Sequence, residues 1–369
     1  MRIGIVTELY SPSVGVVEEH VHQFAREAGR LGHSVKILTG RPTDLPATDE
    51  GPEVIRLGPS RPMLSGGAVI HVSTGMDASA EMREALARER FDVVHVHCPL
   101  TPVLPLLAIH HATGPVVGTF HARPRPGILA RLARRALQRY LDRLDAAVAV
   151  SRACLAPLRG GRLRADFSII PGGVDVDRFA RGRRLRRLDD GRVNLLFAGQ
   201  VGPHGGLDRV IAAFLLLRDQ LDCRLLVLGE GPLLGRYRAL VPEDAREDVV
   251  FGGEVRDARP DWFASADVVC VPGPGTGFPA AVLEGMAAGK PVVASDVEGH
   301  RELLRHGREG ELVDPDDDRA WVRAILRSTR DPARGAAFGE RGRQTAQRYA
   351  WPAVTREVLA LYRAVGVRG

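Results

Sequence analysis

The stretch from Ala266 to Leu303, ADVVCVPGPGTGFPAAVLEGMAAGKPVVASDVEGHREL, decides the fold. An apolar run, Val268 to Val271, breaks at Pro272-Gly-Pro-Gly-Thr-Gly277. A short helical pattern then runs from about Ala280 to Ala288, stops at Gly289, and gives way to a second apolar run, Pro291 to Ala294. The order is strand, Gly-rich turn, helix, strand. Two strands joined by a helix in so few residues should be parallel neighbours in a wound α/β sheet. The Gly-rich turn then lies at the carboxyl end of the first strand, and the helix amino terminus points its free N–H groups at it, a natural place for phosphate. Glu284 stands on that helix among apolar neighbours. By spacing alone, a ligand-free βα turn fits the glycines equally well.

The chain of 369 residues is 44% hydrophobic and 26% charged, enough to bury two ordinary domain cores and unlike a disordered chain. Cys98, Cys154, Cys223 and Cys270 are far apart and mostly in or beside apolar runs. That pattern predicts buried free thiols in a reducing, cytoplasmic compartment. Arg2 to Thr7 already reads as a strand, leaving no room for a signal peptide, and no apolar run is long enough to span a bilayer. The net charge is +6, yet 49 of the 51 basic residues are arginine, with only Lys36 and Lys290 as lysine. Such one-sided usage looks like biased base composition and lowers the weight of any single Arg cluster. With no zinc spacing and no aromatics interleaved with the basic runs, nucleic acid is not an expected partner.

Taken in order, the first half reads as βα units. Arg2 to Thr7 is a strand, the turn Leu9 to Val16 leads into a helix carrying Glu18, Glu19, His20, Val21 and Phe24, and Ser34 to Thr39 is the next strand. The Pro/Gly-rich segment from about Gly40 to Gly67 reads as irregular, with only a short strand near Val54 to Leu57. Phe91 to His97 and Val116 to His121 are buried strands. His95 and His97 alternate onto one strand face. Without a carboxylate or third ligand at a telling distance they read as core or cleft-lining histidines, and no metal site is assigned. His121 differs by its place, because a side chain at the carboxyl end of a parallel strand faces the ligand crevice. After it comes a basic amphipathic helix, Arg125 to Arg143, with apolar residues at helical spacing and arginines on the other face. It reads as a solvated face or as a contact with an anionic membrane surface.

Ile169 to Asp175 crosses into a new region, and Arg178 to Arg192, with seven arginines in fifteen residues, reads as an exposed linker or loop. A second series of βα units starts at Val193 to Gly199 and runs through Cys223 to Gly229 and Val249 to Gly252 into the opening stretch. Residues 337–367 read as helical with a break at Trp351-Pro352. The pattern predicts two Rossmann-like, doubly wound α/β halves facing each other across a cleft.

Several segments, in order, resemble one family: MRIGIV, FDVVHVHCP, GTFHA, IIPGGVDVDRF, LLFAGQV, FASADVVCVP, LEGMAAGKPVVASD and the late YAWPAV. Over about its full length the chain is similar to the retaining glycosyltransferases of GT-B fold and family-4 type, and looks nearest to the phosphatidylinositol mannosyltransferases. The resemblance implies an acceptor-side domain, 1–170, with the terminal helix 353–369 packed back on it, and a nucleotide-sugar domain, 171–352. It implies transfer of a hexose, mannose-like, from a GDP- or UDP-sugar to a lipid-linked or polysaccharide acceptor. No metal or other cofactor is implied, since cationic side chains and a helix amino terminus stabilise the diphosphate. The protein would be cytoplasmic, any contact with the inner membrane face falling to Arg125–Arg143.

By the same resemblance His121 would sit over the sugar and Glu284 would bind the donor ribose, with Gly277 and Phe278 in the donor turn. The departures are as informative. The family's Glu-x7-Glu motif ends at Glu284, but its first glutamate falls at Thr276. Its Gly-Arg-Leu-x3-Lys-Gly pattern maps onto Gly199-Gln200-Val201-x3-Gly205-Gly206, so both diphosphate cations are absent. Gly205 is also a candidate for a positive-φ position, which would strain a restored lysine. Of the amino-terminal glycine pair, Gly15 is kept and Val16 replaces the second. Arg209 and Arg301 are the candidate substitutes for the lost cations. The alternative to an enzyme is a catalytically weakened relative acting as a nucleotide-sugar or glycan binding or regulatory module.

Overall fold

Near-continuous apolar runs are what strands buried on both faces require, and the runs read from the sequence become the centres of two sheets. The computed structural model describes residues 1–367 except 11–14, 44–50, 66–67, 76, 122–133, 156–164 and 276. The described residues of 1–173, 277–278 and 351–367 make one compact unit, and residues 174–275 with 279–350 make the other.

In the amino-terminal unit the elements are β1 (Arg2–Val6), α1 (Val16–Arg30), β2 (Ser34–Pro42), β3 (Glu53–Ser65), β4 (Ala68–Ser73), α2 (Ala78–Glu89) and β5 (Val93–His97). They continue with α3 (Leu104–His111), β6 (Val116–Phe120), α4 (Arg134–Leu141), β7 (Ala146–Ala149) and β8 (Phe167–Ile169). The sheet order is β4-β3-β2-β1-β5-β6-β7-β8, parallel except for β4. One face carries Ile3, Ile5, Phe24, Ile37 and Val93. The other carries Val6, Leu38, Met82, Val96, Leu104 and Ile109.

The long β3 and its antiparallel partner β4 correct the reading of 40–67 as irregular. Pro59 and Pro62 argued against a strand, but the register shifts between Gly40 and Arg41, where Gly58 takes φ +59°. A bulge of this kind absorbs residues that a regular ladder rejects.

The second unit runs through α5 (Val176–Ala180), β9 (Val193–Ala198), α6 (Leu207–Leu217), β10 (Cys223–Leu228), α7 (Leu234–Ala239), β11 (Val249–Gly253) and α8 (Arg259–Ser265). It continues with β12 (Val268–Val271), α9 (Ala280–Ala287), β13 (Val292–Ser295), α10 (Glu298–Arg301), β14 (Gly310–Val313), α11 (Asp318–Arg330) and α12 (Pro332–Ala346). All neighbours are parallel in the order β11-β10-β9-β12-β13-β14. This is the 3-2-1-4-5-6 winding of a Rossmann sheet. The opening stretch behaves as read: β12 pairs with β13 in parallel, and Gly289 ends the crossover helix at φ +68°, where L side chains are strained. Leu195, Phe197, Phe214, Leu225, Trp321 and Ile325 fill the core.

The arginine run 178–192 is not a free linker. Arg184 forks onto Asp267 (2.9 and 3.3 Å), the Arg183 N–H reaches Asp261 (2.8 Å), and Leu188 is buried. Carboxylates far along the chain hold what composition alone marks as solvated.

The last helix, α13 (Trp351–Ala364), belongs to the amino-terminal unit. Its stripe of Trp351, Val354, Val358, Leu359 and Tyr362 completes the core around Ile3 and Phe24. Cys154, Cys223 and Cys270 are buried and Cys98 is half-buried, all as free thiols. Among the described residues no helix is long and apolar enough to cross a membrane.

Candidate functional site

In a wound sheet, ligands gather where the strand order reverses, because the loops leaving the two central strands diverge there. In the second unit that point lies between β9 and β12, whose following loops are Gly199–Gly206 and Pro272–Gly275. The two loops touch: Gly206, at φ +73°, has room for no Cβ, which would lie 2.9 Å from the Pro272 carbonyl oxygen. Ser295 Oγ donates to that same oxygen (2.8 Å) and pins the turn. Gly199 follows β9 and donates its N–H to Leu228 O (3.0 Å). Gln200 is exposed. Gly205 corrects the expectation of positive φ: it is not in the left-handed region. What excludes a side chain there is the Gln200 carbonyl oxygen, 2.2 Å from the place of a Cβ.

Glu284, on α9, is mostly buried and already engaged. Arg259 of α8 presents its guanidinium to it as a fork, Nε to Oε1 at 2.8 Å and Nη2 to Oε2 at 2.7 Å. Such bidentate pairs fix the plane of the carboxylate and use two of its roughly four lone-pair sites. Sequence reasoning missed Arg259, since one arginine in an arginine-rich chain carries no mark. Arg209 pairs with Asp316 (2.7 Å) and Asp318 (3.6 Å), and Arg301 with Asp296 (2.5 Å). Both candidate substitutes for the lost cations thus have carboxylate partners in their own unit.

The amino-terminal unit holds the other candidates. Gly15 precedes α1 in extended conformation, and a Cβ there would meet nothing within 4 Å; Val16, at the first helical position, is exposed. His121 follows β6. Around its backbone sit Gly277, where a Cβ would come within 3.0 Å of the His121 carbonyl oxygen, and Cys154, whose thiol donates to that oxygen (3.6 Å). Ser151 Oγ in turn donates to the Gly277 carbonyl (3.5 Å), and Phe278 packs on Gly172. Thr276 lies outside the described residues, as does 125–133 of the basic segment; its remainder forms α4, with Arg135 and Arg139 exposed and Leu141 buried.

The His121 imidazole meets others. Its Nε2 lies 2.7 Å from His97 Nδ1, the rings stacked at 23°. His20 of α1 meets His121 edge-on at 4.7 Å between ring centroids. His95, beside His97, is fully paired, through Nδ1 to the Tyr362 hydroxyl (2.6 Å) and Nε2 to Thr119 Oγ1 (2.7 Å). Burial is the main cause that pushes all four pKa values down: His20 to about 4, His95 to about 3, His97 and His121 well below the ordinary histidine value. Neighbouring imidazoles add to it for the last three. His121 is therefore a neutral imidazole at pH 7, able to donate from one nitrogen and accept at the other. Sequence reasoning missed His20, which comes from α1 and meets both His97 and His121.

Two Rossmann-like units of this kind define the GT-B class, and the solved structures agree. The Anabaena protein HepE, in complex with UDP and glucose, superposes with a TM-score of 0.79 over 99% of this chain and 100% of its own, at 18% identity. Residues 17–178 match the model for Glycosyltransferase Family 4, and residues 192–331 the model for Glycosyl transferases group 1. The phosphatidyl-myo-inositol mannosyltransferase of Mycolicibacterium smegmatis is 30% identical, the alignment spanning 100% of this chain and 95% of that protein. A GDP-mannose-dependent alpha-mannosyltransferase of the same organism is 29% identical, over 99% and 98%. The chain belongs to this family of GT-B glycosyltransferases, in which a family 4 domain is joined to a group 1 domain.

Proposed function

We propose that this chain transfers a hexose, mannose favoured, from a GDP- or UDP-sugar to a lipid-linked or polysaccharide acceptor, with retention of anomeric configuration. The observation that carries the reading is a Rossmann switch-point turn followed by Glu284 in the same unit, in a chain aligned end to end with mannosyltransferases. The two relatives described above are named as mannosyltransferases, one of them GDP-mannose-dependent, and a solved neighbour is in complex with UDP and glucose.

In this reading Gly199, Gln200, Gly205 and Glu284 of the second unit hold the donor, Glu284 through the ribose hydroxyls. The free N–H groups at the start of α9 meet the diphosphate, where the helix dipole favours negative charge. Gly15, Thr276, Gly277 and Phe278 complete the donor contacts in this reading, and neutral His121 acts as the hydrogen-bonding group over the sugar. The acceptor hydroxyl replaces the nucleoside diphosphate at the anomeric carbon on the same face, with no metal in the step. The exposed arginines of α4 would hold the protein to an anionic inner membrane face.

A second reading, nucleotide-sugar or glycan binding without turnover, draws support from the missing cations at Gln200 and Gly205 and from the carboxylate partners of Arg209 and Arg301. A screen of UDP-, GDP- and ADP-sugars for nucleotide release and transfer, with the product's anomeric proton read by NMR, tests both. A retained-configuration product supports the first reading. Binding of one nucleotide sugar without release from any donor supports the second, and an inverted product removes the retaining assignment.

A further inference from the structure

Three imidazoles from three elements converge in the amino-terminal unit: His20 on α1, His97 at the end of β5, and His121 just past β6. All three are buried, and one ring nitrogen of each lies within 4.8 Å of the others. A neutral imidazole carries one N–H and one lone pair. The 2.7 Å contact between His97 Nδ1 and His121 Nε2 can hold one proton. In either tautomer the outer nitrogens, His97 Nε2 and His121 Nδ1, are then one bare lone pair and one N–H. Both are buried, and neither has a hydrogen-bond partner among the described residues. His95, two residues away with both nitrogens paired, shows what a structural core histidine looks like in this same sheet. Buried polar atoms are almost always paired, so a cluster that leaves two nitrogens over has capacity for a ligand.

We propose that His20, His97 and His121 form a binding site for a divalent transition metal of the zinc class. Imidazole nitrogens suit zinc, copper and nickel, whereas magnesium and calcium require oxygen ligands. Three histidines with a free fourth position are a complete donor set for tetrahedral zinc. Burial keeps the three imidazoles in the neutral form a metal needs. Zinc–nitrogen bonds of about 2.0–2.1 Å hold tetrahedral ligand nitrogens roughly 3.3 Å apart, wider than the 2.7 Å between His97 Nδ1 and His121 Nε2. Binding therefore breaks that hydrogen bond, sets each imidazole in the tautomer that leaves its ligand nitrogen bare, and readjusts the three rings. The ion is no part of the transfer step. It would occupy His121, so metal binding and use of that imidazole exclude one another.

The test is binding of Co2+, as a visible stand-in for Zn2+, to tag-free, chelator-treated full-length protein, followed by the d–d absorption band and by metal analysis after dialysis. The expected result is one equivalent of Co2+ with a tetrahedral spectrum, displaced by Zn2+. His20→Gln and His121→Gln should each weaken it at least about tenfold, no less than the loss of an outer-shell partner does. The double variant His110→Gln with His111→Gln, removing the neighbouring pair on α3, should leave it unchanged. If His121→Gln fails to fold by circular dichroism, His20→Gln decides alone. Wild-type protein without retained metal, undiminished binding in His20→Gln, or loss in the α3 variant would each overturn the site. None of these readouts depends on sugar transfer.

Discussion

Glu284 and Gln200 are where single side chains carry the donor reading. With Arg259 taking two of its lone-pair sites, Glu284 is held in a fixed plane with two sites left, which the proposed donor reading gives to the ribose hydroxyls. Glu284→Ala should weaken nucleoside diphosphate binding by about 2–4 kcal/mol, since it removes charge-assisted hydrogen bonds made to the ligand. Arg259→Gln should cost about 1 kcal/mol, because the carboxylate stays but loses its orientation. Calorimetry showing unchanged affinity in Glu284→Ala would take that residue out of the site. Gln200→Arg, at an exposed position, should tighten the same binding by restoring one cation. Gly205→Lys is not its equal: the Gln200 carbonyl blocks the Cβ, so a lowered melting temperature is expected before any gain in affinity. Rapid turnover by the unmodified protein, with no gain from Gln200→Arg, would mean that another group already neutralises the diphosphate.

At the scale of elements, α4 and β14 make opposite uses of arginine. On α4, Arg135 and Arg139 face solvent. If they meet an anionic bilayer, liposome binding should require anionic lipid and fall as salt rises, each cation contributing about 1 kcal/mol within a Debye length. Absence from anionic liposomes at low and high salt alike would leave the helix as a solvated face. On β14, buried Glu311 accepts from Arg327 (3.1 Å) and Arg334 (2.9 Å). Burial alone would raise its pKa, but the two guanidiniums outweigh that and hold it below the ordinary value of 4.5. A depressed carboxyl pKa contributes stability that is present above the unfolded value and lost as pH falls through the folded one. Glu311→Gln should therefore destabilise by about 1–3 kcal/mol at neutral pH. Its melting temperature should fall less than that of the wild type on going below pH 4.5, and parallel acid curves would contradict the assignment.

On the scale of the whole molecule, the amino-terminal unit depends on residues from the far end of the chain. A protein ending at residue 350 would expose Ile3, Phe24 and Val93 where Trp351, Val358 and Tyr362 now pack. We expect such a truncation to lose the folding of that unit, read as extra exposed amides in hydrogen exchange confined to residues 1–173. Protection equal to that of the full chain would show that α13 is dispensable. Within the full chain, Tyr362→Phe leaves His95 Nδ1 without its partner and should cost about 1–3 kcal/mol in chemical denaturation.

The sequence by itself determined the class of the fold, because its information is local. Apolar runs of strand length, glycines at the turns and a helix stop at Gly289 need only neighbouring residues to be read, and β12, α9 and β13 stand where that reading puts them. Position along a strand likewise marked His121, and the absence of cations at Gln200 and Gly205 needed no coordinates. Only the tertiary structure decided which distant side chains meet. Arg259 lies 25 residues from Glu284 and His20 about a hundred from His121, and no periodicity links either pair. The sequence shows only the short strand near Val54 to Leu57 and not β4, because a bulge at Gly58 reconciles prolines with a ladder, and it hides the pairing of the arginines of 178–192 because their partners lie tens of residues away. Local pattern fixes what a segment becomes, whereas charge pairing and burial are settled by folding, when the energy of each group depends on what the rest of the chain places beside it.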